Sequence, residues 1–239
     1  VHFADGEAHK RQFIDDALEG LRGDVPRRRL SGGCHGRFVP RVATSVPWRF
    51  GRRPRRPWPL AVNAVTAATP ATIDERLAPC LACHGDKGQS LIPEVPSLGA
   101  QPVFFLSVQL LMFREKMRHL EPMTGMMKGW SDDDLRRAAA IIAKLPAPAQ
   151  NPSALDPARS ALAQALIQQH RCNFCHKQDF SGEDNAPRLA GQREDYLVKA
   201  LREYKNNSRR AYDPSMADAL HPLTDADFQD LAHYLSRLK

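Results

Sequence analysis

Apolar residues recur along this chain in two regimes. From Thr72 onward they return at helical spacing, three and four apart, in blocks bounded by polar caps and prolines. Residues 73–82 read as a short helix, and residues 104–117 as a second with apolar side chains on most faces. A third opens at Ser131, the expected N-cap, where Asp132, Asp133 and Asp134 suit the positive end of a helix dipole. It runs through Ile141 and Ile142 and stops before Pro146. Residues 146–152, with three prolines, form a stiff linker. Asp156-Pro157 opens the next helix, Asp as N-cap and Pro in the first turn. Residues 196–204 and 224–238 are further helical stretches, with Thr224 and Asp227 echoing Ser131 and Asp134.

Residues 1–71 lack this order. They carry clustered arginines (Arg27 to Arg29, then Arg52, Arg53, Arg55 and Arg56), many prolines and little sustained periodicity. They read as a basic segment, either disordered or signal-like. Arg52 to Arg56, followed by the apolar and small residues 60–68, loosely resembles an export signal. No apolar run approaches the roughly 18 residues needed to cross a bilayer.

The helical regime is written twice. With Cys80 aligned on Cys172, His84 meets His176. With small slips, Pro96-Ser-Leu98 meets Pro187-Arg-Leu189, Gln101 meets Gln192, Leu106 meets Leu197 and Leu110 meets Leu201. Further on, Met123 meets Met216, Leu135 meets Phe228 and Ile142 meets Leu235. A repeat of this kind predicts two similar small domains, at residues 72–146 and 153–239, joined by a linker at 147–152.

Charge changes the picture only by exclusion. The net charge of +7 suggests a nucleic-acid partner until it is located. Thirteen of the 34 Lys/Arg and six of the 27 Asp/Glu lie in residues 1–70, leaving 21 of each in the remainder. The repeated region is therefore neutral and has no electrostatic footprint for nucleic acid.

The chemistry sits on the cysteines. Four of the five form Cys-x-x-Cys pairs, Cys80 with Cys83 and Cys172 with Cys175, each followed at once by histidine, His84 or His176. Covalent haem attachment uses this spacing: two thiols on one turn add to the haem vinyl groups, and the adjacent His is carried to the iron. A zinc site pooling both pairs is the first rival, but it leaves unexplained why each pair has its own His and its own repeat. A thioredoxin-like redox pair needs no His. Methionine sulfur is the usual sixth ligand of haem iron in electron carriers. The second repeat offers only Met216. The first offers five methionines, of which Met123 matches Met216 and Met126 is the runner-up. Met112 and Met117 read as core on the middle helix, and Met126 and Met127 as shields at the haem edge. His119, His170 and His221 read as surface groups, and the lone Cys34 is given no role.

These residues resemble the diheme cytochrome c4 family. The first half is carried by Cys80-Leu-Ala-Cys-His-Gly85, Pro96-Ser-Leu-Gly-Ala-Gln101, Met123-Thr-Gly-Met126 and Ser131-Asp-Asp-Asp-Leu135. The second is carried by Cys172-Asn-Phe-Cys-His176, Pro187-Arg-Leu-Ala-Gly-Gln192 and Met216. The resemblance covers roughly residues 73–239. It implies an all-α chain of two tandem class I cytochrome c-like domains and two haem c groups. It assigns Cys80, Cys83, His84 and Met123 to one haem, and Cys172, Cys175, His176 and Met216 to the other. It further implies a periplasmic, sometimes membrane-associated, electron carrier serving a terminal oxidase, a quinol-oxidising complex or a dehydrogenase. A diheme peroxidase or a haem subunit of a dehydrogenase complex is the alternative. Two departures stand out: Lys177 where glycine usually follows the haem histidine, and Gly-Ala-Gln where Ala-Gly-Gln is typical.

Overall fold

Residues 72–209 and 214–239 are described in a computed structural model of the chain. The expectations for residues 1–71, Cys34 included, lie outside the described residues. Among those described the regular structure is helical: α1 (Ile73–His84), α2 (Val103–Arg114), α3 (Met123–Met126) and α4 (Asp132–Ile142), then α5 (Pro157–His170), α6 (Cys172–His176), α7 (Glu194–Lys205), α8 (Ser215–Leu220) and α9 (Asp225–Leu235). A single isolated bridge joins Glu183 and Ala186. No helix among them is long and apolar enough to cross a membrane.

Three helices start on reciprocal caps. In α1 the Glu75 N–H donates to Thr72 Oγ1 while Thr72 N–H donates back to the Glu75 carboxylate. Ser131 with Asp134 and Thr224 with Asp227 do the same for α4 and α9. Each box satisfies two donors that a helix start otherwise leaves to water. Asp156 caps α5 by accepting from Ala158 and Arg159, with Pro157 behind it.

Two separate apolar cores result. Leu77, Leu106, Leu111, Met112, Leu135, Ala138 and Ile142 belong to the first; Ile167, Leu197, Leu201, Phe228, Leu231 and Leu235 belong to the second. In each, the last helix carries the packing. α4 meets α1 and α2, as α9 meets α5 and α7. Leu135 and Phe228, paired in the repeat, are both essentially sealed from solvent.

The halves differ at one torsion just before the Cys-x-x-Cys-His segment. In the first half α1 runs unbroken through the motif, with Pro79 inside it. In the second, α5 ends at Arg171, which turns left-handed (φ 52°, ψ 38°), and the motif sits on its own short helix α6. Pro79 and Arg171 occupy equivalent positions. Proline's ring holds φ near −65°, so the left-handed break open to Arg171 is closed to Pro79.

The residue after each motif histidine turns to positive φ. Gly85 does so at φ 84°, where an added Cβ would lie 2.0 Å from the Gln89 carbonyl oxygen. Lys177 does so at φ 66°, ψ 166°, a region that side chains rarely enter. The departure noted at Lys177 is thus a conformational one: lysine adopts the backbone that glycine takes in the first half.

Candidate functional site

Each motif presents one sheltered and one open thiol. Cys80 is buried and Cys83 exposed; Cys172 is half-buried and Cys175 exposed; none is in a disulfide. Burial pushes the Cys80 and Cys172 thiols above their ordinary pKa, opposed by backbone hydrogen bonding, so both stay protonated near neutrality.

The histidines are held alike. His84 is buried and its Nδ1 lies 2.7 Å from the Pro96 carbonyl oxygen. His176 is buried with Nδ1 2.9 Å from the Pro187 carbonyl oxygen. A carbonyl only accepts, so Nδ1 carries the proton in both rings and the Nε2 lone pair is free to bind a metal. Burial lowers both imidazole pKa values, against the opposing effect of these bonds, and keeps the rings neutral. A neutral imidazole fixed through its other nitrogen is the usual form of a metal-binding histidine.

The candidate methionine ligands lie on short helices that pack on the two cores. Met123 and Met126, three apart on α3 and so on one face, both pack against the first core, which contains Cys80. Met216, on α8, packs against the second core, as does Cys172. Met112 is buried as expected of a core residue, and Met127 is fully buried too, inside the core rather than at an edge. His119 and His221 are exposed.

A basic cluster went unnoticed in the sequence. Arg209 is buried (5% exposed), with its guanidinium donating to Tyr196 Oη at 2.9 Å and to Gln109 Oε1 at 3.4 Å. Arg118 also donates to Gln109 Oε1, at 2.6 Å. Burial and the nearby Arg209 charge pull Arg118 below its ordinary pKa. Burial acts to raise the pKa of Tyr196, but the two guanidinium charges outweigh it and lower it. Arg209 Nε is buried without a hydrogen-bond partner among the described residues. Two guanidiniums this close together are suited to holding an anionic group. Only three-dimensional proximity of residues 91 apart reveals this.

These residues fit a covalently held haem: paired thiols, an imidazole with Nε2 available, a sulfur from the same core, and guanidiniums suited to the cofactor's carboxylates. No group of three or more His, Cys, Asp or Glu placed to hold a metal occurs among the described residues. Two helical cores, each bearing such a motif beside a carbonyl-anchored imidazole, define a c-type cytochrome.

Comparison with known proteins places the chain more narrowly. The Cytochrome c family model matches residues 160–239. Cytochrome c4 of Thiocapsa roseopersicina is 32% identical over 171 residues, spanning 66% of this chain and 86% of that protein. The thiosulfate dehydrogenase electron acceptor of Thiomonas intermedia is 30% identical over 172 residues, spanning 66% and 78%. The crystal structure of reduced cytochrome c4 from Pseudomonas stutzeri superposes with a TM-score of 0.63 at 26% identity, covering 70% of this chain and 97% of that one. The chain belongs to the cytochrome c4 family, as the resemblance of its motifs implied, and carries two covalent haem c groups with iron. Its function is electron transfer by a c-type cytochrome, in exchange with redox partners.

Proposed function

We propose that the protein is a periplasmic shuttle with one haem in each of two domains, residues 72–146 and 153–239, joined at 147–152. Cys80 and Cys83 hold the first haem and Cys172 and Cys175 the second. His84 and His176 would bind iron through Nε2, with Met123 and Met216 supplying the second protein ligand of each haem. Bound haem supplies a one-electron iron couple. The protein residues set its ligands and exclude water from it. Arg118 and Arg209 would suit haem carboxylates as partners.

The observation that carries this reading is the matched pair of buried imidazoles, each with Nδ1 tied to a proline carbonyl. Export follows from the chemistry: bacterial covalent haem attachment operates outside the cytoplasmic membrane. A dehydrogenase as electron donor is supported by the likeness to the Thiomonas intermedia electron acceptor. A terminal oxidase or quinol-oxidising complex is the other class of partner, with peripheral association at the membrane.

The deciding experiment is a haem count. The chain is expressed with c-type maturation machinery, denatured, and its covalent haem compared with protein by absorption and intact mass. Two haems per chain are expected, falling to one in a Cys172→Ala/Cys175→Ala variant. A wild-type chain carrying fewer than two, or an unchanged count in the variant, refutes the cysteine assignment.

A further inference from the structure

Two glutamines cross the seam between the halves in opposite directions, beside contacts such as Arg193 to the Ser90 carbonyl and Lys199 to Glu94. Gln192, 4% exposed, reaches from the second half to Ser97 in the first: Ser97 N–H donates to its Oε1 at 2.8 Å and its Nε2 donates to the Ser97 carbonyl at 2.9 Å. Gln101, 5% exposed, reaches from the first half to Arg188 in the second: Arg188 N–H donates to its Oε1 and its Nε2 donates to the Arg188 carbonyl, both at 2.9 Å. Each glutamine therefore saturates one residue's backbone on the far side.

The place of contact gives these bonds a chemical consequence. The N–H of Ser97 and the carbonyl of Pro96 belong to one planar peptide group, and that carbonyl accepts from His84 Nδ1. The N–H of Arg188 shares its peptide with the Pro187 carbonyl, which accepts from His176 Nδ1. A donor and an acceptor on one peptide polarise each other, and bonds in such chains strengthen cooperatively by the order of 10–30%. Gln192 Oε1 thus increases the negative charge on the oxygen that holds His84, and Gln101 does so for His176. A stronger bond at Nδ1 makes an imidazole more basic at Nε2. A more basic ligand favours ferric over ferrous iron.

We propose that Gln192 and Gln101 are crosswise positioning residues, each tuning the iron of the opposite half through the peptide that anchors its histidine. The proposal rests on His84 and His176 being the iron ligands. Docking of the halves and the two reduction potentials are then linked, because the polarising oxygen exists only while the seam is closed. Gln192 Oε1 also accepts from Arg193 N–H at 3.0 Å, whereas no second donor to Gln101 Oε1 is present among the described residues. The shared acceptor makes the effect on the first haem the smaller.

The test uses the haem-loaded full chain. In the wild type, 15N-histidine labelling assigns the iron-shifted ring signals to residues; signals from residues other than His84 and His176 overturn the ligand assignment and the proposal together. With that assignment made, Gln192→Leu removes the acceptor without changing charge. Its expected result is a weakened Nδ1–H bond at His84 and a rise in the first haem's potential, with the second haem little changed. The expected size is about a threefold shift in the oxidised-to-reduced ratio at fixed potential, roughly 28 mV for a one-electron couple. Gln101→Leu is expected to act in the same direction, and more strongly, on His176 and the second haem. A shift in the substituted half's own haem, or an equal shift in both or neither, overturns the proposal. Gln192→Glu and Gln101→Glu keep the acceptor oxygen, and cover the case in which a leucine variant fails to fold. They are expected to strengthen the opposite Nδ1–H bond, moving its proton signal in the direction contrary to leucine. An unmoved signal there counts equally against the relay.

Discussion

Replacing Lys177 with glycine is expected to stabilise the second half, and Gly85→Ala to destabilise the first. Lys177 holds φ 66°, ψ 166°, a conformation that costs a side-chain-bearing residue about 1–3 kcal/mol. Glycine occupies it without that penalty but loses about 0.5–1 kcal/mol more chain entropy on folding. The Lys177–Glu183 ion pair at 3.1 Å is also lost, and because both side chains are largely exposed it contributes at most about 1 kcal/mol. The balance favours Lys177→Gly by about 1 kcal/mol. For a half of this size that raises the unfolding midpoint by roughly 4–8 °C. Gly85→Ala has the opposite sign on two counts, positive φ and a Cβ placed 2.0 Å from the Gln89 carbonyl oxygen. Thermal unfolding of the haem-loaded protein, followed at the Soret band with the two transitions resolved, measures both. A lower midpoint for Lys177→Gly, or an unchanged one for Gly85→Ala, would show that the backbone at these positions is not strained as argued.

Other substitutions test the cores, the caps and the ligands. Leu135→Ala empties a sealed position in the first core and should cost about 2–5 kcal/mol in chemical denaturation, with a loss under 1 counting against the packing described. Asp134→Ala removes a capping box and the 2.7 Å Arg76 ion pair linking α4 to α1, a loss of about 1–2 kcal/mol at pH 7. Hydrogen bonds from the Ser131 backbone and hydroxyl, then Arg76, hold the Asp134 carboxyl at about 2, below its unfolded value of about 3.9. Its contribution is therefore full above pH 4 and fades as pH falls through about 2, and a deficit constant over that window contradicts this account. Met123→Ala should abolish the charge-transfer band of sulfur-ligated ferric iron at the first haem while Met126→Ala leaves it; the reverse result reassigns the ligand to Met126.

Much of the helical framework was legible because its signals are local. Ser131, Asp156 and Thr224 announce helix starts within three residues, and apolar spacing then carries each helix across the core. The helix read over residues 73–82 is observed to run through Pro79 and to continue two residues further, through His84, so that the whole motif is helical. Helix α3 was missed because four residues are too few for a period to register. Gln101 and Gln192 were visible as a matched pair in the repeat, yet their bonds span 87 and 95 residues, and nothing in a linear reading pairs an amide with a distant peptide. The Arg118 and Arg209 cluster was hidden for the same reason: its members lie 91 residues apart.

The glutamine exchange also bears on how the two halves can drift apart over generations. Gln101 and Gln192 read backbone groups, so the side chains they meet are under no obligation to match. Ser97 and Arg188 stand at equivalent positions and share neither size nor charge. A change at either glutamine, in contrast, strands a peptide N–H and carbonyl in the half that did not mutate. The glutamines thus place no demand of their own on the side chains they meet, whereas each amide is tied to the backbone of the sibling half.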